Sequence, residues 1–292
     1  MDINVIIEES FEKWLKTLGY AGSTVYLSTH YVRDFFFYLK TLKITELEAV
    51  NIKTLEGYYK YLQKRGNRRR TGGLSDNYMN SNFNALRRFS RYLQETGKPF
   101  FEVTVKTRPD KENPKIILTG EEIKALYKAC GSDYLGVRDR AMLSIYYGCG
   151  LRRSEGTSLD VKDVLFKERL VFVRSGKGNR ERYVPMTGVV TEDLEAYILQ
   201  GREHIRSFKG GLNPEALFLS MRGKRLCGNQ VISRLQKLAQ AAGINKPVGL
   251  HTLRHSIATH LLQSGLTLEE VGRFLGHISL ESTQIYTHLA NE

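Results

Sequence analysis

Apolar residues in the N-terminal half of the chain recur at the three- and four-residue spacing of amphipathic helices. Phe11, Leu15 and Leu18 follow this spacing and predict a first helix. Three more helices are predicted from apolar spacing, capping residues and a terminal glycine. They cover Ser23–Lys40 with Ser23 as the N-cap, residues 52–66, and Ser75–Gly97. The pattern therefore predicts an all-helical N-terminal half.

The C-terminal half mixes helical and strand-like patterns. Thr119 and Glu122 form a T-x-x-E capping box and predict a helix start. The runs RLVFVR and RYVPM predict two strands, and the glycines between them suit a hairpin turn. The remaining helical patterns cover residues 136–147, 192–206, 228–242, 251–265, 266–277 and 279–289. A helical unit with a small β-hairpin is therefore predicted.

A charged segment separates the two halves. The run KTRPDKENP contains two of the six prolines of the chain and has no apolar periodicity, which is typical of an exposed linker. We therefore expect a helical domain over residues 1–105, a linker over 106–116 and a second domain over 117–292.

Charge narrows the possible partners. The 292 residues carry a formal charge of +13. Residues 1–116 hold 20 basic and 13 acidic side chains, so they contribute +7 and the remainder contributes +6. This excess favours a polyanionic partner, above all nucleic acid, and two basic halves suggest a clamp around a duplex. There is no uncharged apolar stretch long enough to span a bilayer and no signal-peptide pattern, so we expect a cytoplasmic protein without a membrane partner.

Basic residues in the N-terminal half are candidates for DNA contact. The loop GNRRRTGG brings three consecutive arginines between the third and fourth predicted helices. Two interpretations stay open for this loop, a phosphate-contacting loop and a merely solvated basic loop. The candidate residues are Arg68, Arg69, Arg70, Arg87 and Arg88.

A second polar set occurs in the C-terminal half. His251 and Arg254 are three residues apart in a helical pattern and therefore share one face. Two neighbouring cations repel unless an anion such as phosphate lies between them. Arg152 follows two glycines that permit a sharp turn, and we expect it at a helix start where backbone N–H groups attract anions. Taken singly, such residues more often have an ordinary structural role.

Five motifs occur in the order typical of one enzyme family. They are GLRRSE at 150–155, SGKGNRERYVP at 175–185, HTLRH at 251–255, LGH at 275–277 and QIYTH at 284–288. The chain thus resembles the tyrosine recombinases of the phage-integrase and Xer family, most closely the compact Xer-type members. The resemblance implies a mainly α fold, in which a helical, SAM-like core-binding domain precedes a mostly helical catalytic domain with a small β-sheet.

The resemblance also implies a role for each matched residue. Tyr286 would be the nucleophile that forms a 3′-phosphotyrosyl bond. The other catalytic residues would be Arg152, Lys177, His251, Arg254 and His277. Two forked guanidinium groups suit the negative charge that develops on the phosphoryl oxygens, and a histidine can accept the proton of the phenol. Glu155 is expected to orient its neighbours. Gly156 replaces a residue that is commonly apolar in the family, and is expected to loosen the packing of its helix.

Partners and cofactors follow from the same resemblance. It implies double-stranded DNA at a specific recombination site, bound by a homo- or heterotetramer on two DNA sites, with no small-molecule substrate. The chemistry requires no metal or ATP, and the sequence has no acidic cluster suited to magnesium and no phosphate-binding P-loop. The biological role would be Xer-like dimer or cointegrate resolution, or integration and excision of a mobile element. The alternatives are a non-catalytic, sequence-specific DNA-binding regulator and a type IB topoisomerase-like enzyme that relaxes DNA.

Overall fold

The chain divides into two compact units. The computed structural model describes residues 3–67, 71–108, 115–174, 181–209 and 215–276. One unit covers Met1–Asn113 and the other Pro114–Glu292, so the division falls within the segment 106–116 that the sequence predicts as a linker.

The N-terminal unit is helical throughout its described elements, as predicted. Its helices are α1 (Ile3–Thr17), α2 (Gly22–Thr41), α3 (Ile52–Lys64) and α4 (Asp76–Glu95), with one 3₁₀ turn at Leu47–Ala49. The predicted cap of α4 is confirmed, because the Ser75 side chain accepts a hydrogen bond from the backbone N–H of Tyr78 at 3.2 Å. The predicted cap of α2 is wrong. Ala21 is the N-cap, with φ −56° and ψ 141°, so Ser23 already lies inside the helix.

Aromatic side chains form the core of the N-terminal unit. Phe11, Phe35, Tyr58, Phe83 and Phe89 are fully buried. Edge-to-face packing joins them across the bundle, with ring centroids 5.2 Å apart for Phe11–Phe89 and 5.0 Å apart for Phe35–Tyr58. Each such side chain removes a large apolar area from water, so this cluster is the main source of the unit's stability.

The C-terminal unit combines helices with a three-stranded antiparallel sheet. Its elements are α5 (Gly120–Lys128), α6 (Tyr134–Leu143), α7 (Arg153–Ser158), β1 (Val164–Leu165), β2 (Leu170–Val173), β3 (Arg182–Pro185), α8 (Gly188–Ala196), α9 (Glu203–Lys209), α10 (Gly228–Ala241), α11 (Leu250–Gln263) and α12 (Leu268–Leu275). The predicted hairpin strands are confirmed: β2 and β3 pair antiparallel, with Val171 opposite Val184. The Thr119–Glu122 capping box is also present. Across the described ranges, no helix combines the length and apolar character needed to cross a membrane.

A tight turn connects α6 to α7. A π-helical turn over Ser144–Gly148 directly follows α6, and Gly150 comes after it with φ +60°. A Cβ on Gly150 would lie 2.8 Å from Cδ2 of Leu275, so only glycine permits both this backbone conformation and the close approach of α12. The turn places Arg152 at the start of α7.

The expected loosening at Gly156 is wrong. Tyr146 fills the space next to this glycine: a Cβ there would meet Cζ of the tyrosine at 2.6 Å. The Tyr146 hydroxyl also donates a hydrogen bond to the backbone carbonyl of Arg153 at 3.3 Å. Gly156 therefore makes room for an aromatic ring that packs against α7.

Candidate active site

Arg254 is buried at the junction of α11, α12 and the α6–α7 turn. Its side chain is held by two backbone carbonyls, one from Gly150 and one from Leu275, the latter at 2.7 Å from Nη2. Only 4% of the residue is exposed. A buried cation needs such partners to offset its loss of hydration, and here they fix the plane of the guanidinium group.

Arg152 is the N-cap residue of α7 and is partly exposed. Its Nη1 donates to Oε1 of Glu155 at 2.8 Å, and its Nη2 donates to the carbonyl of Gly276 at 3.1 Å. The predicted position at a helix start is confirmed, and an anion of the chain itself binds the backbone there. The Glu155 carboxylate already accepts the backbone N–H of Arg152, at 2.8 Å.

The two arginines meet at the end of α12. Arg254 donates a hydrogen bond to the carbonyl of Leu275, and Arg152 donates one to the carbonyl of Gly276. The two guanidinium groups are therefore bound to two consecutive residues of the chain. Gly276 has φ +66°, the left-handed conformation that glycine adopts readily and that ends the helix here. The next residue is His277, so the LGH motif begins where the arginines converge.

Glu155 is the anion of this cluster. It is 3% exposed, and it accepts hydrogen bonds from both Arg152 and Arg182. Burial raises the pKa of a carboxyl group, but the hydrogen bonds from Arg182 and Arg152 outweigh that effect and bring the pKa of Glu155 to about 2. The carboxylate is therefore ionised at every physiological pH.

His251 lies one helical turn before Arg254, on the same face of α11, as predicted. Burial lowers its pKa, and the nearby charges of Arg254, Arg153 and Arg152 lower it further. The imidazole is consequently neutral at neutral pH. A neutral imidazole is the form that can accept a proton.

Several predicted site residues lie outside the described residues. They are the catalytic candidates Lys177, His277 and Tyr286 and the loop arginines Arg68, Arg69 and Arg70. The described chain on either side of the arginine loop forms a β-bridge between Gly66 and Gly73. Strands β2 and β3 flank the segment that contains Lys177.

Arg87 and Arg88 both have partners within the N-terminal unit. Arg87 donates to Oδ1 of Asn84 at 2.9 Å and to the carbonyl of Val105 at 3.1 Å. Arg88 donates to Ser28 Oγ at 3.4 Å, and its guanidinium lies 5.8 Å from the ring centroid of Tyr20. Each therefore has a structural contact besides any role in binding DNA.

Arg182 is a site residue that the sequence reasoning missed. It donates to both carboxylate oxygens of Glu155, at 2.9 and 3.0 Å, and its side chain is 14% exposed. One signal was available: Arg182 is two residues before the buried Val184, so the period of a strand places it on the inward face. A charged residue at an inward position indicates a buried partner.

No group of three or more potential metal ligands occurs among the described residues. The described part of the site consists of Arg152 and Arg254, the Glu155 carboxylate that binds Arg152, and the neutral His251. Such a site can stabilise charge on phosphoryl oxygens and accept one proton.

The fold agrees with comparisons to known proteins. Residues 117–292 match the model of the phage integrase family. The chain is 31% identical to the tyrosine recombinase XerD of Listeria monocytogenes, over 98% of this chain and 95% of the relative. It is 36% identical to the tyrosine recombinase XerC of Oceanobacillus iheyensis, over 75% of this chain and 72% of that one.

Solved structures share the fold. The post-cleavage complex of the XerH site-specific recombinase with its difH substrate covers 91% of this chain and aligns over 76% of its own length, with a TM-score of 0.71 and 21% identity. The Tn1549 transposon integrase with circular intermediate DNA covers 96% of this chain and aligns over 94% of its own, with a TM-score of 0.70 and 18% identity. The molecule is therefore a DNA strand-exchange enzyme by class. The chain belongs to the phage integrase family of tyrosine recombinases.

Proposed function

We propose that this site-specific recombinase cleaves and rejoins DNA with Tyr286 as its nucleophile. The Tyr286 oxygen attacks a backbone phosphorus, the bond from phosphorus to the 5′-oxygen breaks, and a 3′-phosphotyrosyl bond forms. The energy of the phosphodiester stays in that bond. A 5′-hydroxyl from another strand can then attack it, reseal the backbone and release the tyrosine.

The described residues have distinct roles in this reaction. Arg152 and Arg254 stabilise the negative charge that develops on the phosphoryl oxygens, because guanidinium groups bind such oxygens in a forked geometry. His251, neutral at physiological pH, accepts the proton of the phenol. Lys177 gives a proton to the leaving 5′-oxygen, and His277 donates a hydrogen bond to the phosphate. The observation that carries the proposal is the convergence of Arg152 and Arg254 on the peptide groups that lead directly into His277.

The partners follow from the mechanism and the relatives. The solved complexes of XerH and of the Tn1549 integrase contain DNA. We place this chain on a specific duplex site, with four protomers exchanging strands between two sites, in the cytoplasm and on the nucleoid. Arg68, Arg69, Arg70, Arg87 and Arg88 contact the DNA backbone. Resolution of chromosome dimers fits the likeness to XerC and XerD, and excision or integration of an element fits the likeness to the Tn1549 integrase.

Covalent trapping tests the reaction. Purified protein is incubated with a library of nicked, random-sequence duplexes, and strands that stay attached in detergent are sequenced. We expect one recurrent site and an adduct on Tyr286. The Tyr286→Phe variant should bind the recovered site but form no adduct, because it lacks the attacking oxygen. An equal adduct yield from this variant would refute the assignment of the nucleophile.

The alternatives predict different outcomes. A regulator would bind one site and give no adduct with the wild-type chain. A topoisomerase-like enzyme would relax supercoiled plasmid without any recurrent site. Lys177→Ala should slow cleavage, and a 5′-bridging sulfur in the substrate should restore it, because a thiolate leaves without a proton. Failure of that restoration would remove the proton-donor role.

A further inference from the structure

Arg182 stands apart from the residues that the reaction uses. It begins β3, and its guanidinium group meets the Glu155 carboxylate through two parallel hydrogen bonds, at 2.9 and 3.0 Å. The same carboxylate binds Arg152 through Nη1 at 2.8 Å. Glu155 therefore lies between two guanidinium groups, only one of which has a role in the reaction.

Arg182 also packs on the second partner of Arg152. A Cβ on Gly276 would lie 2.7 Å from Nε of Arg182 and 2.8 Å from its Cδ. The carbonyl of Gly276 is the group that accepts Nη2 of Arg152. Arg182 thus contacts both groups that hold the Arg152 side chain, the Glu155 carboxylate and the α12 terminus.

The charges explain why a second arginine is needed. Glu155 and Arg152 alone would form a neutral, partly buried pair, and a neutralised arginine attracts phosphate weakly. Arg152, Glu155 and Arg182 together carry a net charge of +1. Two of the hydrogen bonds that the Glu155 carboxylate accepts come from Arg182 and not from Arg152. A carboxylate shared in this way orients Arg152 without cancelling its charge.

We propose that Arg182 is a positioning residue for DNA cleavage, acting through Glu155 and Gly276 to hold the Arg152 guanidinium in place and leave it cationic. This inference rests on the proposed function.

The test compares the rate of adduct formation with the affinity for DNA, on the site recovered by trapping. Arg182→Gln should form the adduct on the order of 10- to 100-fold more slowly, because misplacing a catalytic group by a fraction of an ångström has effects of this size. Its Kd for the site should stay within about 3-fold of the wild type. Arg182→Lys keeps the charge but loses the forked geometry, and should recover part of the rate. Equal rates for the wild type and Arg182→Gln would overturn the inference.

A double-mutant cycle separates positioning from general damage. If Arg182 acts through Glu155, then Arg182→Gln should have little further effect on the rate in a Glu155→Gln background. If the effects of the two substitutions on the adduct rate multiply in the double variant, Arg182 and Glu155 act independently, and that result would contradict the inference. Thermal unfolding of each variant checks that it is folded. If Arg182→Gln is unfolded, Arg182→Lys is compared with the wild type in its place.

Arg174 provides a matched control at the same end of the same pair of strands, because Val173, the residue before it, pairs with Arg182. It follows β2 and binds the buried carboxylates of Asp160 and Asp163, each at 2.7 Å. Arg174→Gln removes an equivalent guanidinium without touching Glu155, so its adduct rate should stay within about 3-fold of the wild type. A loss equal to that of Arg182→Gln would refute the path through Glu155. Absence of any adduct with the wild type would instead refute the proposed function itself.

Discussion

The two units of this protein bury different kinds of side chain. Among the described residues, the N-terminal unit buries one charged side chain, Glu8, and four neutral polar ones, and its other buried side chains are apolar or aromatic. The neutral polar residues are Ser28, Thr29, Thr54 and Asn82. The buried charged residues described in the C-terminal unit are Arg138, Asp139, Glu155, Asp160, Asp163, Asp193, Arg202 and Arg254. Buried charges are unfavourable unless they are paired and hydrogen-bonded, so the C-terminal unit depends on electrostatic geometry in addition to its apolar core, whereas the N-terminal unit depends mainly on packing.

The difference has a functional reason. A site that binds a phosphodiester needs cations in fixed orientations, and an exposed arginine does not hold one orientation. Pairing with buried carboxylates and carbonyls holds Arg152 and Arg254 in place. The aromatic core has no such requirement, because binding a duplex needs only a stable scaffold with a basic surface.

The largest expected effect on stability comes from a substitution in the aromatic core of the N-terminal unit. Phe89 packs against Phe11 with centroids 5.2 Å apart and is fully buried, so Phe89→Ala should destabilise the N-terminal unit by about 3–5 kcal/mol. Trp14, the only tryptophan, lies 6.1 Å from Phe11, so its fluorescence reports urea unfolding of this unit. Phe37→Ala is the control, since Phe37 is 62% exposed and its loss should change stability by less than about 0.5 kcal/mol. Equal effects of the two variants would contradict the assigned core.

Acid should weaken the C-terminal unit through Glu155. Its pKa is about 2 in the folded chain against an ordinary 4.5, so the carboxylate stabilises the fold above pH 4.5. That contribution, roughly 3 kcal/mol, is lost progressively as the pH falls from about 4.5 to about 2. Urea unfolding followed by circular dichroism at several pH values should show it. Glu155→Gln should flatten this part of the pH dependence, and identical profiles for the variant and the wild type would exclude Glu155 as its source.

A methyl group at position 156 tests the packing of α7. A Cβ there would meet the Tyr146 ring at 2.6 Å, so Gly156→Ala should destabilise the C-terminal unit by about 1–3 kcal/mol despite the better helix propensity of alanine. Gly188→Ala is the matched control, because a Cβ at that helical glycine would meet nothing within 4 Å. We expect the control to be neutral or stabilising in thermal unfolding, and Trp14 fluorescence to be unchanged in both. A higher thermal stability of the Gly156→Ala variant would mean that the Tyr146 ring moves aside, and would contradict the close packing against α7.

The smallest expected effect concerns DNA binding by the N-terminal unit. Arg88 has weak internal contacts, at 3.4 Å from Ser28 Oγ and 5.8 Å from the Tyr20 ring, so Arg88→Ala should change stability by less than about 1 kcal/mol. If Arg88 binds a phosphate, the variant should reduce the slope of log affinity against log salt by about 1. Lys16→Ala, which removes a surface lysine of α1 paired with Glu12, should leave that slope unchanged. An unchanged slope for Arg88→Ala would remove this residue from the DNA contacts.

Local features of the fold could be predicted because their interactions span few residues. The caps at Ser75 and Thr119 each join groups three residues apart, and the two strands that pair as β2 and β3 were predicted from their own short apolar runs. The same rules failed at Ser23, where the chain enters α2 one residue before a plausible cap. The motif order identified the family and named the catalytic candidates, and His251 and Arg254 share a face simply because they are three residues apart on a helix.

Only the tertiary structure decided how the site is held together. The hydrogen bond from Arg152 to Gly276 joins residues 124 positions apart, and the contact between Arg182 and Glu155 joins residues 27 apart. No local pattern specifies such pairs, because they depend on how α7, β3 and α12 pack against one another. The role of Gly156 was hidden for the same reason: the ring that occupies its space comes from the π-turn before it. The sequence by itself determined most of the elements and the family, and packing decided which charges meet.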